Sequence, residues 1–308
     1  MEAVENSGFK VLYAPIHTGI VIRADNFNDL FLWTIEEIKA VGRWTHPRGF
    51  DCKEVLGSVL ILENPRKCLV TIGDRKLNYA YLTIEKLMYL SKFQDPETLI
   101  AYNHRMQNYL NPETGFFDGA YGPRVDTQFE WCYSELMNDI DSRRAVVTIH
   151  DKTDCNSETK DSACTLSWQF MVRDGKLDMH VNMRSNDILW GLCLDVPAFC
   201  FAQEVMAYWL KIPMGRYFHH AASLHYYKEY EEQLLGYVKY KTPENHESIP
   251  KWDVSFECTR DALNWFWRQE KLLRKNGTYN LSNYDVINRY LERLKEYWDN
   301  KSKKINGN

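Results

Sequence analysis

Residues 166–187 read LSWQFMVRDGKLDMHVNMRSND, and this stretch decides the fold. It divides into two strands, Leu166–Val172 and Leu177–Met183, around the polar turn Arg173-Asp174-Gly175. Working outward, Ala145–His150 reads as a third strand and Val55–Leu62 as a fourth, with helices near Leu82–Ser91, Pro96–Leu110 and Thr127–Ile140 between them. Upstream, Lys10–Ala24 (KVLYAPIHTGIVIRA) is β-branched and aromatic, giving one or two strands. Asp25 and Asn26 can cap a helix over Phe27–Val41, which Gly42 stops. Downstream, a short helical stretch follows from Asp187, and an apolar helix covers Pro197–Leu210 with Pro197 in its first turn. A strand near Gly215–Ser223 then leads into a helix from about Tyr226. After Lys241 comes a loop, PENHESIP, and two charged helices, Phe256–Arg274 and Asn283–Asn300. Length and pattern suit an α/β (α+β) chain, either two domains or one large one, with a C-terminal helical extension over 242–308.

Composition narrows the function. The chain has 308 residues, 44% apolar and 26% charged, with a net charge of -4, which excludes global disorder. The most apolar run, Ile188–Met206, contains Asp195 and Glu204, so no membrane span is expected. MEAVENSGFK has no apolar h-region, which predicts no secretory signal and a cytoplasmic location. The near-neutral charge argues against a general nucleic-acid binder and leaves any anionic ligand to a few local arginines. The eight cysteines form no C-x-x-C pair, so a zinc knuckle or redox dithiol lacks its spacing.

Several residues carry possible chemistry. Cys164 stands between the polar segment CNSETKDSA and a strand, where a thiol is both exposed and held rigidly. Arg143-Arg144 follows Ser142 at a helix-to-strand junction, and Arg184-Ser185 ends a strand. Arginine pairs bidentately with phosphate, and a guanidinium near a thiol favours the thiolate. His225 and Tyr227 share one side of an extended chain and could grip a sugar hydroxyl. Each has an ordinary structural alternative: a buried thiol, a solvated arginine pair, a satisfied His-x-Tyr. Asp195 is more telling, since an uncompensated carboxylate in an apolar run is costly. It either pairs with a structural donor or meets a polar ligand.

The order of these pieces resembles the thymidylate synthase superfamily over Phe27–Tyr227, roughly two thirds of the chain. Ser142-Arg143-Arg144, Cys164, Gln169-Phe170, Asp174-Gly175-Lys176-Leu177, Asn182–Asp187, Gly191 and Ser223-Leu224-His225-x-Tyr227 carry the likeness. Upstream, Arg48-Gly49 is similar to the family's phosphate-binding arginine loop, Glu85 in IEKLMYL to its folate-site glutamate, and Tyr121-Gly122 to its Tyr-Gly turn. Asp195 stands where the synthases carry the asparagine that reads uracil. NMRSND and SLHxY look like pyrimidine (CMP/dCMP) hydroxymethylases.

The resemblance implies one catalytic unit over residues 1–241, a mixed sheet packed with helices, and a Cys164 nucleophile, with Glu85 and Tyr121 managing water and protons and Asp195 facing the base. It also implies Arg48, Arg184, Ser185 and Asp187 around the nucleotide, with His225 and Tyr227 on the sugar. Arg143 and Arg144 would cross from the other subunit of a homodimer, and 5,10-methylenetetrahydrofolate would be the cofactor. The expected reaction is C5 hydroxymethylation of CMP or dCMP. A uracil-nucleotide C5 methylase or hydroxymethylase, and a non-catalytic nucleotide-binding relative, stay open. The chain departs from the synthases at Thr165, where they have histidine, and at His219-His220-Ala221-Ala222, where they have a glycine-rich turn. The vicinal histidines have no accompanying carboxylate cluster, so no metal is expected. The C-terminal segment does not resemble the synthase tail.

Overall fold

The computed structural model describes residues 4–6, 9–11, 19–156, 158–243 and 248–306. In chain order the elements are β1 (Val4–Asn6), β2 (Phe9–Val11), β3 (Val21–Ala24), α1 (Phe27–Val41), β4 (Arg43–Thr45), β5 (Cys52–Leu62), α2 (Tyr79–Tyr89), α3 (Pro96–Tyr102), α4 (Tyr121–Asn138) and β6 (Val146–Thr148). There follow β7 (Thr165–Arg173), β8 (Lys176–Met183), β9 (Asn186–Asp187), α5 (Gly191–Leu210), β10 (Met214–Tyr227), α6 (Glu231–Tyr237), α7 (Phe256–Asn276) and α8 (Asp285–Asn306). Of the one or two strands expected over Lys10–Ala24, two are seen, on either side of 12–18, which lie outside the described residues, as does 244–247 of PENHESIP.

The turn after β7 forms because Arg173 pairs with Lys176, leaving a two-residue loop. Asp174 and Gly175 both adopt positive φ, 51° and 69°, the geometry that Asp-Gly supplies and that matches strand twist. The main sheet runs β3-β5-β10-β8-β7-β6, with β4 on β5 and β9 on β10. It is mixed: β10 is antiparallel to β5 and parallel to β8 and β9. One face is buried beneath helices by Trp168, Phe170, Leu177, Met179, Val181, Tyr217 and Ala221. The alternate residues Ser167, Gln169, His180, Asn182, Phe218 and His220 form a face that is only half-covered.

Helix α5 is buried almost all round, as expected of a central core helix. Several boundaries differ from expectation. The helix expected over Pro96–Leu110 ends at Tyr102. Pro197 lies inside α5, which starts at Gly191 because the Asp187 carboxylate accepts from the Leu189, Trp190 and Gly191 N–H groups. β10 continues to Tyr227, held by β5, so the next helix starts only at Glu231. Tyr121-Gly122 opens α4 and is not a turn.

Helices α7 and α8 share one apolar core with the sheet and its helices, through Phe266, Trp267, Ile287, Tyr290 and Leu294. Trp267 Nε1 donates to Ser91 Oγ, and Trp298 Nε1 to Tyr102 Oη, which in turn donates to Glu270. One core thus crosses the 241/242 boundary drawn from sequence. No described helix is long and apolar enough to cross a membrane.

Candidate active site

A cleft of about 1080 Å³ opens where α2, α4 and the start of α5 meet the C-terminal ends of β8 and β10. Ten residues expected from sequence line it: Arg48, Glu85, Tyr121, Cys164, Arg184, Ser185, Asp187, Asp195, His225 and Tyr227. Arg143 and Arg144 do not. Both are exposed on the loop before β6, Arg144 near Glu135 (3.7 Å) and the Arg143 carbonyl accepting from Gln169 on the half-covered sheet face.

Cys164 sits one residue before β7. Arg184 braces this entrance: its Nε donates to the Ala163 carbonyl (2.9 Å), its Nη2 to the Ser162 carbonyl (3.0 Å), and its backbone N–H to the Cys164 carbonyl (2.9 Å). Burial raises the thiol pKa, and the Asp195 and Asp161 charges raise it further; Arg184 and Arg48 pull it down. The resting thiol is therefore protonated at neutral pH, and the arginines favour the thiolate when it forms. Arg48 adopts a left-handed backbone, φ 54° and ψ 26°, uncommon for a side chain of this size. The Thr165 N–H donates to Tyr121 Oη (3.2 Å), whose hydroxyl donates to Thr165 Oγ1 (2.9 Å). Tyr89 stacks on the Tyr121 ring at 4.9 Å.

Glu85 and Asp195 line the same cleft as desolvated carboxyls. Burial pushes Glu85 up to about 7, against the Tyr81 and Tyr89 hydroxyls. Tyr81 donates to Glu85 Oε1 (2.8 Å), while Oε2 has no hydrogen-bond partner among the described residues. Burial, and then the Glu85 charge, push Asp195 up to about 8. Two carboxyls with separated, near-neutral pKa values are the arrangement that general acid and base work requires. Asp195 Oδ2 accepts from Asn186 Nδ2 (2.6 Å). Gly191 makes room: a Cβ there would lie 3.0 Å from Asn186 Nδ2 and 3.4 Å from Asp195 Oδ2.

On the opposite wall the His225 and Tyr227 rings meet edge-on at 5.3 Å, as their two-residue spacing predicts, and His225 Nδ1 has no partner among the described residues. Asp187 lies beside His225 but spends its carboxyl on the start of α5. His219 and His220 alternate across β10: His219 is buried beneath the cleft, and His220 contacts His180 on the other face (3.2 Å). Neighbours on opposite faces cannot chelate one ion.

Sequence reasoning missed Tyr81, Tyr89, Asn186 and His219. The tyrosines were legible, since Tyr81, Glu85 and Tyr89 recur every four residues along one face of α2. Nothing in the sequence joins His219 to Asn186.

A family model described as Thymidylate synthase matches residues 29–266. The chain is 31% identical over 199 residues to the deoxyuridylate hydroxymethyltransferase of Bacillus phage SP01, covering 59% of this chain and 52% of that protein. It is 30% identical over 173 residues to the deoxyuridylate hydroxymethyltransferase of Pseudomonas phage M6, covering 54% and 49%. It is 26% identical over 200 residues to a putative thymidylate synthase of Methanocaldococcus jannaschii, covering 62% and 82%. The chain thus spans about half the length of the phage relatives it matches.

Proposed function

Because the chain belongs to the thymidylate synthase family, we propose that it transfers a one-carbon unit to C5 of a pyrimidine nucleoside monophosphate, forming the 5-hydroxymethyl nucleotide of cytosine. The observation that carries this reading is the juxtaposition of Cys164 with the Glu85–Asp195 carboxyl pair and the arginines Arg48 and Arg184 in one cleft.

Cytosine C5 is a poor nucleophile. Addition of Cys164 Sγ to C6 makes C5 enamine-like and able to attack an electrophilic carbon. When bound, 5,10-methylenetetrahydrofolate, the family's one-carbon donor, supplies that carbon at the oxidation level of formaldehyde. The cleft has room for a folate beside a nucleotide; Phe93, Leu99 and Trp190 are among its apolar lining, and Arg105 lies over the Trp190 ring (5.0 Å). Tyr121 supports loss of the C5 proton, which accompanies departure of tetrahydrofolate as leaving group and leaves an exocyclic methylene on C5. Ionised Glu85, with its Oε2 unpartnered, activates the water that adds to the exocyclic carbon, and departure of Cys164 from C6 restores the ring. Arg48, Arg184 and Ser185 hold the phosphate, and His225 and Tyr227 the sugar. A protonated Asp195 can donate to cytosine N3, which an ionised carboxylate cannot. The names of the two phage relatives favour a second reading, the same chemistry on deoxyuridylate.

One assay decides between them. CMP, dCMP, UMP and dUMP labelled with tritium at C5 are incubated with the protein and 5,10-methylenetetrahydrofolate, and products are weighed. Tritium release and a gain of CH2O on a cytidylate are expected. Release from uridylates alone overturns the cytosine assignment, and a gain of CH2 without oxygen overturns the hydration step.

The active unit is a homodimer in which Arg143 and Arg144 reach the phosphate of the neighbouring subunit. Their position beside the half-covered sheet face supports this, because a second copy stacked on that face would bring them across. A Cys164→Ser chain and an Arg143→Ala/Arg144→Ala chain, each inactive alone, should recover about one quarter of wild-type activity when refolded together, since half the dimers are mixed and each has one intact site. No recovery would show that the arginines serve their own subunit.

A further inference from the structure

A hydrogen-bonded chain leads from Asp195 away from the cleft into the core. Asn186 Nδ2 donates to Asp195 Oδ2 (2.6 Å), Asn186 Oδ1 contacts His219 Nε2 (3.1 Å), and His219 Nδ1 contacts Tyr217 Oη (2.9 Å). Asn186, His219 and Tyr217 are 3%, 0% and 0% exposed, so water cannot replace any link. Burial holds His219 neutral, with its pKa lowered to about 3, so its ring carries one N–H.

Such a chain has two self-consistent polarities. In one, Tyr217 O–H donates to Nδ1, Nε2–H donates to Asn186 Oδ1, and Asn186 Nδ2–H donates to Asp195 Oδ2, so the acid proton sits on Oδ1. In the other the Asn186 amide is turned over and every bond is reversed: Asp195 Oδ2–H donates to Asn186 Oδ1, Asn186 Nδ2–H to His219 Nε2 and His219 Nδ1–H to Tyr217 Oη, and Asp195 Oδ1 becomes a bare acceptor. Tyr217 decides between them. Among the described residues Tyr217 Oη has no hydrogen-bond partner except His219, so the reversed chain would leave a buried O–H unpaired, which disfavours it.

We infer that Tyr217, His219 and Asn186 are positioning residues that fix Asp195 Oδ1 as a hydrogen-bond donor and thereby set which pyrimidine the cleft accepts. The direction rests on the cytidylate reading: an Oδ1–H donor suits the N3 lone pair of cytosine and opposes the N3–H of uracil. Asp195, with its pKa near 8, retains the proton the chain needs at neutral pH.

The test is the ratio of kcat/KM for dCMP to that for dUMP, followed by C5 tritium release in wild type and Tyr217→Phe. Loss of one buried oxygen outside the cleft should lower the ratio about tenfold. His219→Gln, whose amide still donates to Asn186, should keep the wild-type ratio, whereas His219→Leu should shift it as Tyr217→Phe does. That pair carries the test if Tyr217→Phe fails to fold. A purely structural role would lower both kcat/KM values together, and an unchanged ratio overturns the relay whichever base wild type prefers. A wild-type preference for dUMP overturns the cytidylate reading; if Tyr217→Phe still shifts the ratio, the relay survives.

Discussion

Cys164→Ser should abolish turnover, with kcat falling on the order of 10⁴-fold or more, as when a covalent nucleophile is removed elsewhere. A serine hydroxyl is far less acidic than a thiol, and no described histidine or lysine within hydrogen-bond distance could deprotonate it. The thiol itself is already raised by burial and held in check by Arg184 and Arg48. Nucleotide binding should change little, because the Arg184 bonds to the Ser162 and Ala163 carbonyls do not use the sulfur. Calorimetry with dCMP separates binding from turnover, and mass spectrometry of denatured protein reads the covalent adduct. Turnover persisting at the wild-type rate in Cys164→Ser would rule out addition of the Cys164 sulfur at C6.

Glu85→Gln should lower kcat on the order of 10²–10⁴-fold, the usual worth of a positioned general base. It should also change the pH profile. Glu85 acts ionised and titrates near 7, so kcat/KM rises as pH climbs through about 7. Asp195 acts protonated and titrates near 8, so kcat/KM falls as pH passes about 8. Wild type should therefore show a narrow bell between these limbs, whose apparent pKa values belong to the coupled pair. Glu85→Gln removes the acid limb. It also lowers the apparent pKa of Asp195, because the Glu85 charge that raised it is gone, so the alkaline limb should move to lower pH. A profile flat from pH 6 to 9 in wild type would contradict both roles.

The site was legible in the sequence where local geometry dictates it. His225 and Tyr227 meet because strand residues two apart share a face, and Arg184-Ser185 reaches the cleft because β8 ends there. Boundaries were harder to read. Pro197 suggested a helix start, yet its missing N–H is tolerated within α5, which begins earlier on the Asp187 cap. The sequence likewise suggested a helix at Tyr226, but pairing with β5 keeps that segment extended.

The sequence by itself determined the family resemblance, the two strands around the Asp-Gly turn, and ten of the residues that line the cleft. Those features follow from spacing, turn chemistry and motif order, which are properties of the linear chain. The tertiary structure decided the electrical character of the site. Glu85 and Asp195 are 110 residues apart in the chain, and only folding places them in one dry pocket, where burial raises both and the Glu85 charge raises Asp195 further. The buried line from Tyr217 to Asp195 is likewise invisible in sequence, because hydrogen bonds among His219, Asn186 and Asp195 depend on β10, β9 and α5 meeting. Protonation and donor direction are set by surroundings, and those surroundings exist only in the folded molecule.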